Sequence, residues 1–297
     1  MRERAGGAAG AGLQVPFRYP RRMEIVVAEQ GAFYFQPQIT PEEARGRAGA
    51  HKVSAFGTLS RLFSRPKDED IAVSDQGLWY VPLWHAKAHL NFVFDRRESY
   101  KVPIKGPHTK TVTVGGSDHA VTGGAIEVPV IEHCERDEQR ELWLDAVTSQ
   151  PINAKPYLNL LPNPVKLDEF APEGVKIVAP SVRASAVVRA LLGEDFRPAD
   201  ADEVKNERVE VDCIDLYFRP TFNFKFEWTS KNKSADVAID AISGELQTQP
   251  SAAMAVMANL LKPETLFDIG AETLNLVIPG GAIPLKVAKA FADKRKA

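Results

Sequence analysis

The chain has 297 residues, 44% hydrophobic and 26% charged, with a net charge of −2. That composition excludes collagen, coiled coil and wholesale disorder, and gives no global basic signature for nucleic acid. At roughly 150 residues per domain, the length allows about two domains.

Residues 1–22 carry five arginines against Glu3 and read as a flexible basic leader. They lack the apolar core of a signal peptide. A first unit is expected over 23–152. It opens at Thr40-Pro41-Glu42-Glu43, an N-cap with Pro in the first turn and Glu at the third position. The helix is expected to run to about Phe63. From Pro82, the even positions Trp84, Ala86, Ala88, Leu90, Phe92 and Phe94 are apolar, and the odd positions include His85, Lys87, His89 and Asn91. This period-2 alternation predicts a strand with one buried face.

The same pattern returns in Leu216–Trp228, where the even positions are Leu216, Phe218, Pro220, Phe222, Phe224, Phe226 and Trp228. Setting Pro82 on Pro220 keeps both faces in parity. Leu144-Asp145-Ala146 then matches Ile239-Asp240-Ala241, each a strand ending in an Asp-led turn. The span from Pro82 to Asp145 is much longer than that from Pro220 to Asp240. This places a β insertion at about 98–140, with short strands Lys110–Val114 and Ala125–Ile131 and hairpin turns at Gly115-Gly116 and Gly123-Gly124. Prolines 156, 162, 164 and 172 mark a linker over 153–174. A second unit, 175–249, opens with a helix over Ser181–Leu192 stopped by Gly193. The tail, 250–297, is expected to be helical, in segments Ser251–Lys262, Pro263–Ile278 and Ile283–Lys294. The resulting fold expectation is α+β: two related helix-on-antiparallel-sheet units, a β insertion in the first, and a helical C-terminal tail.

The second unit resembles PepSY repeats through three features: the aromatic-rich strand LYFRPTFNFKFEW, a polar hairpin, and the closing Asp240-Ala241-Ile242-Ser243-Gly244-Glu245. The first unit is similar to a degenerate copy, with Ser149-Gln150 where the second has Gly244-Glu245. The resemblance implies a small helix-on-sheet fold acting as a non-catalytic inhibitory or interaction module, and it implies no catalytic residues.

The candidate chemistry is sparse. His85 and His89 would chelate zinc on a helix, but on a strand their Cα atoms lie ~13 Å apart. His108, His119, His133 and Cys134 match no zinc spacing. Whether they assemble a site in space is open, as is a Cys134–Cys213 bridge. Glu135 and Asp212 beside the two thiols argue against a nucleophile. Asp145 and Asp240 read as turn residues. No catalytic residue, cofactor site or metal site is assigned. The expected partner surface is a polar, partly basic sheet face of His85, Lys87, His89 and Asn91 with Arg219, Asn223 and Lys225. The function expected is a non-catalytic protein-binding or assembly module acting through the sheet faces and the insertion. Two alternatives stay open: an adaptor whose basic ends touch anionic lipid or nucleic acid, and an enzyme with a spatially assembled His/Asp/Glu site. No apolar stretch reaches 18 residues, so no transmembrane helix is expected. Two cysteines in 297 residues suggest a reducing, cytoplasmic setting.

Overall fold

The computed structural model describes residues 24–28, 30–56, 67–193, 200–247, 255–256, 266–268 and 285–287. They are mostly β. The strands are β1 (Glu24–Val27), β2 (Gly31–Tyr34), β3 (Ile71–Pro103), β4 (Thr111–Val114), β5 (Ser117–Ala120), β6 (Ala125–Asp145), β7 (Asn163–Pro164), β8 (Lys176–Val178), β9 (Glu203–Trp228), β10 (Lys233–Asp240), β11 (Leu246–Gln247), β12 (Ala255–Val256) and β13 (Leu285–Val287). Two α-helices are described, α1 (Pro41–Ala55) and α2 (Ala184–Leu192).

The spine is an antiparallel ladder between β3 and β9, running from Ile71↔Trp228 to Asp95↔Glu203. On the outer side of β3 lie β8, in parallel at Trp79 and Tyr80, and then β6, antiparallel from Leu83 onward. On the outer side of β9 lie β1 and β2, both parallel, and then β10 from Thr221. The ladder has a centre. Val81 faces Arg219, Tyr80 faces Pro220 and Pro82 faces Phe218. About that centre the flanking strands correspond. Asp145 faces Leu83 as Asp240 faces Thr221, and β8 lies beside Tyr80 as β2 lies beside Phe218. Each proline falls in the gap where one outer strand has ended and the next has not begun. No neighbour there needs the N–H that proline lacks. The carbonyls of Pro82 and Pro220 instead accept from Ala146 and Ala241, at 3.1 and 2.9 Å.

The expected α+β arrangement is therefore corrected: the chain forms one large mixed sheet, not two helix-on-antiparallel-sheet units. The even-numbered faces predicted for the two long strands are buried, from Trp84 to Phe94 and from Phe222 to Trp228. Yet they pair with each other as neighbours in a single sheet. The helices also cross over. Ala44 and Ala48 of α1 pack on Phe222, Phe224, Phe226, Val237 and Ile239 of the β9/β10 hairpin. Val187, Val188, Leu191 and Leu192 of α2 join the cluster around Trp84, Ala86 and Leu90 of β3. Each helix covers the hairpin of the other half, so neither half closes its own core. Trp84 Nε1 donates to the Val182 carbonyl at 2.8 Å, pinning the entry to α2.

The insertion expected at about 98–140 lies on a long β ribbon, and two further expectations change. β3 and β6 continue as one ribbon to Pro103↔Ala125, past the last β9 partner, with the β4/β5 hairpin at its far end. Gly115 and Gly116 both have positive φ (57° and 87°), as a two-residue hairpin turn requires. The Pro-rich segment 153–174 packs into the body: Tyr157, Leu167 and Phe170 are buried, and β7 pairs with β2. The tail contributes strands rather than the expected helices at two described places, β12 beside β8 and β13 beside β1. Leader residues 1–22, helix positions 57–63 and most of the tail lie outside the described residues.

Candidate functional site

One face of the sheet carries both helices. The opposite face is built from the odd positions of β3, and the three strands there bring unlike residues together. His85, Lys87, His89 and Asn91 point the same way because strand side chains alternate. Each is half-buried. Their neighbours in β6 are one aromatic and otherwise acidic or polar: His85 faces Trp143, Lys87 faces Glu141, His89 faces Gln139 and Asn91 faces Asp137. Diagonal contacts close the pairs. His85 Nε2 lies 2.9 Å from Glu141 Oε1, His89 Nε2 lies 2.7 Å from Asp137 Oδ1, and Asn91 Nδ2 donates to Glu135 Oε1 at 3.1 Å. On the other side β9 adds Asp215, Cys213 and Glu210. The face expected to be partly basic is acidic, because β6 supplies Glu135, Asp137 and Glu141 beside Lys87 and the histidines of β3. That could not be read from one strand alone.

The remaining expected face residues do not join this group. Arg219 is buried, not surface-binding. Its guanidinium reaches Asp145 Oδ2 at 2.9 Å, Gln247 Oε1 at 3.2 Å and Asp240 Oδ2 at 4.0 Å. Asn223 and Lys225 lie further along β9 opposite Gly77 and Asp75, at another cleft. The Asp-led turns hold as expected. Asp145 Oδ1 accepts from Val147 and Thr148 N–H, and Asp240 Oδ1 from Ile242 and Ser243 N–H. Asp145, Arg219 and Tyr157 also line a polar cleft of about 340 Å³. Burial beside Asp240 drives the Tyr157 hydroxyl well above the ordinary tyrosine range, so it stays protonated and donates to Asp240.

The most concentrated chemistry lies around His85. Its imidazole stacks on Trp143, with centroids 4.1 Å apart and planes 18° apart. Trp143 Nε1 donates to Glu141 Oε1 at 3.1 Å, and this bond, with that to His85, holds the Glu141 carboxyl below its ordinary value. Burial pulls the His85 pKa down, against the opposing pull of Glu141. A neutral ring whose Nε2–H points at Glu141 leaves a lone pair on Nδ1. That atom lies 3.7 Å from Cys213 Sγ. Asp215, directly across from His85, brings a carboxylate to the same place, anchored by the Gly31 N–H at 3.0 Å. Among the described residues, His85, Cys213 and Asp215 are the one group of three metal-ligating side chains whose donor atoms lie within 4.8 Å of one another. Sequence reasoning compared His85 with His89 along one strand and missed this group. The signal available was the Cys213-x-Asp215 spacing, which sets a thiol and a carboxylate on one strand face.

The other histidines stay apart. His133 pairs with Asp95, and His119 Nδ1 lies 2.9 Å from the Glu127 carbonyl oxygen. Cys134 faces Phe94 on the helix-bearing side and Cys213 faces Lys87 on the opposite side, so the sheet separates the two thiols and no disulfide forms. No described helix is long and apolar enough to cross a membrane. Searches against family models, curated proteins and solved structures find no match to this chain.

Proposed function

We propose that this chain is a protein-binding module that takes an extended, basic segment of another polypeptide along the outer edge of β6. The observation that carries the reading is the edge itself. β6 runs 21 residues and pairs on one side only, with β3. Among the described residues the isolated bridges on β6 lie at its two ends, Ala125 to Thr122 and Leu144 to Pro151, and His119 reaches the Glu127 carbonyl near the first of them. Open edges offer backbone donors and acceptors to an added strand. Here the edge carries Glu127, Glu135, Asp137 and Glu141 on one face, which disfavours pairing with a like copy and favours a basic partner. The ribbon also exposes Tyr100, Val102 and Ile131, apolar contacts of the kind found at partner surfaces. The resemblance to PepSY modules, which act by interaction rather than catalysis, points the same way.

The test is affinity capture with the full chain, with Glu135→Lys/Asp137→Lys, and with a ribbon shortened by a tight turn in place of residues 104–124. The reading expects a captured protein whose binding weakens with salt, falls at least tenfold in the charge-reversed variant and persists in the shortened ribbon, which keeps the β6 edge. Retention of the same protein by the charge-reversed chain, or capture of nothing at low salt, would overturn it.

A further inference from the structure

The His85 cluster has a form that binding an extended segment does not require. Cys213 and Asp215 stand two residues apart on β9, so both side chains leave the same face. His85 reaches them from β3. Cys213 is 7% and Asp215 2% exposed. A thiol, a carboxylate and an imidazole lone pair thus converge at the rim of the covered region, from different strands of a rigid ladder.

The nitrogen–sulfur distance fits a tetrahedral ion. Zinc bonds of about 2.3 Å to sulfur and 2.0–2.1 Å to nitrogen put those two ligand atoms about 3.6 Å apart. The His85 Nδ1 to Cys213 Sγ separation is 3.7 Å. A thiol hydrogen bond gives a similar separation, so this one distance does not decide the matter. The surroundings do. The far nitrogen of His85 is bonded to Glu141, which is in turn bonded by Trp143. A carboxylate behind a histidine fixes the tautomer that frees the near nitrogen and raises its basicity, the usual support of a metal-bound histidine. Asp215 is likewise held from behind, by the Gly31 N–H. A Cβ on Gly31 would collide first with the Phe33 ring and would also sit 2.9 Å from Asp215 Oδ1, so the position has no room for a side chain.

We propose that His85 Nδ1, Cys213 Sγ and a carboxylate oxygen of Asp215 bind one zinc-class divalent ion. A nitrogen, sulfur and oxygen donor set suits zinc rather than calcium or magnesium, which prefer oxygen alone. Binding replaces the thiol proton with the metal: the S–H bond breaks, a proton leaves to solvent, and the sulfur lone pair forms the bond to the ion. Three protein ligands leave a fourth position. The His85 side chain is 15% exposed, so that position faces solvent on the His85 side. Zinc reaches the site from there, and a water completes the tetrahedron.

The experiment uses the full chain, stripped with chelator, then titrated with zinc and separately with cobalt. One equivalent of zinc is expected to bind with release of one proton and to raise the unfolding temperature. Cobalt is expected to give the visible bands of a tetrahedral ion and a thiolate charge-transfer band. Cys213→Ser and Asp215→Asn should lose at least a hundredfold in zinc affinity, Glu141→Gln ten- to a hundredfold, and Cys134→Ser nothing. If Cys213→Ser fails to fold, the cobalt spectrum of the native chain decides, since only a bound thiolate gives the charge-transfer band. Less than one equivalent bound, no charge-transfer band, or unchanged affinity in Asp215→Asn would overturn the proposal. So would alkylation of Cys213 at the same rate with and without zinc, which would leave the pair as a thiol–imidazole hydrogen bond.

Discussion

Val81 and Arg219 face each other at the centre of the β3/β9 ladder, and they break its otherwise matched design. The flanks repeat about this pair, but one side of the centre is apolar and the other carries a buried guanidinium. Arg219 collects the two Asp-led turns, Asp145 at 2.9 Å and Asp240 at 4.0 Å. One cation serves both halves.

Removing that cation should be costly. Arg219→Met leaves Asp145 and the fully buried Asp240 without their shared counter-charge. Breaking a buried ion pair on one side costs about 3–5 kcal/mol. Urea unfolding should show the midpoint fall accordingly, with an unchanged slope. A loss under 1 kcal/mol would show that Asp145 and Asp240 are satisfied without it.

At one matched position the two turns carry Ser149 and Gly244. Ser149 has φ 62° and Gly244 has φ 72°. A side chain in the left-handed region costs roughly 1–2 kcal/mol, and glycine's extra chain entropy returns about half of that. Ser149→Gly should therefore raise stability by about 0.5 kcal/mol. Gly244→Ser should lower it by more, because its Cβ would also displace the Arg47 guanidinium that bonds the Gly244 carbonyl. Thermal melts of the pair should move in opposite directions.

The α1 start is predictable from its cap. Thr40 Oγ1 accepts from Glu43 N–H at 3.2 Å, and Glu43 Oε2 accepts from Thr40 N–H at 2.8 Å. Thr40→Ala should cost about 1 kcal/mol. Hydrogen exchange should localise the loss to α1 and to the β10 strand beneath it. Exchange that rises evenly over the sheet would argue against α1 as an independent cover.

Acid should weaken the protein through His85. Its folded pKa lies below the ordinary 6.5, so the unfolded chain takes up the proton first. The stabilisation is fully present above about 6.5 and is lost as pH falls toward the folded value. Glu141 and Asp215 push the pKa of this ring up, burial and Lys87 push it down, and burial is the largest of these. Glu141 adds a second loss of the same sign below its ordinary 4.5. In the presence of chelator, melting temperature against pH should slope upward to about 6.5 in the native chain. The slope should flatten in His85→Gln.

The sequence by itself determined the local pieces of this protein. The alternation from Trp84 to Phe94 and from Phe222 to Trp228 fixed which side of each strand is buried, because a strand's side chains alternate strictly. The Thr40 cap, the Gly193 stop, the glycine-pair turns and the two Asp-led turns follow from local hydrogen bonding and backbone sterics. Matching Pro82 to Pro220 also aligned the two Asp-led turns, Asp145 with Asp240. Only the tertiary structure decided what these pieces do to each other. Two strands with the same apolar face can sit in separate sheets or pair side by side, and alternation is identical in either case. Pairing made one sheet and let each helix cross to the other hairpin, while the β3/β6 register laid Asp137 and Glu141 against His89 and His85. The meeting of His85 with Cys213 and Asp215 was illegible for the same reason. It depends on the register between strands 128 residues apart at His85 and Cys213, which non-local burial sets and no local pattern records.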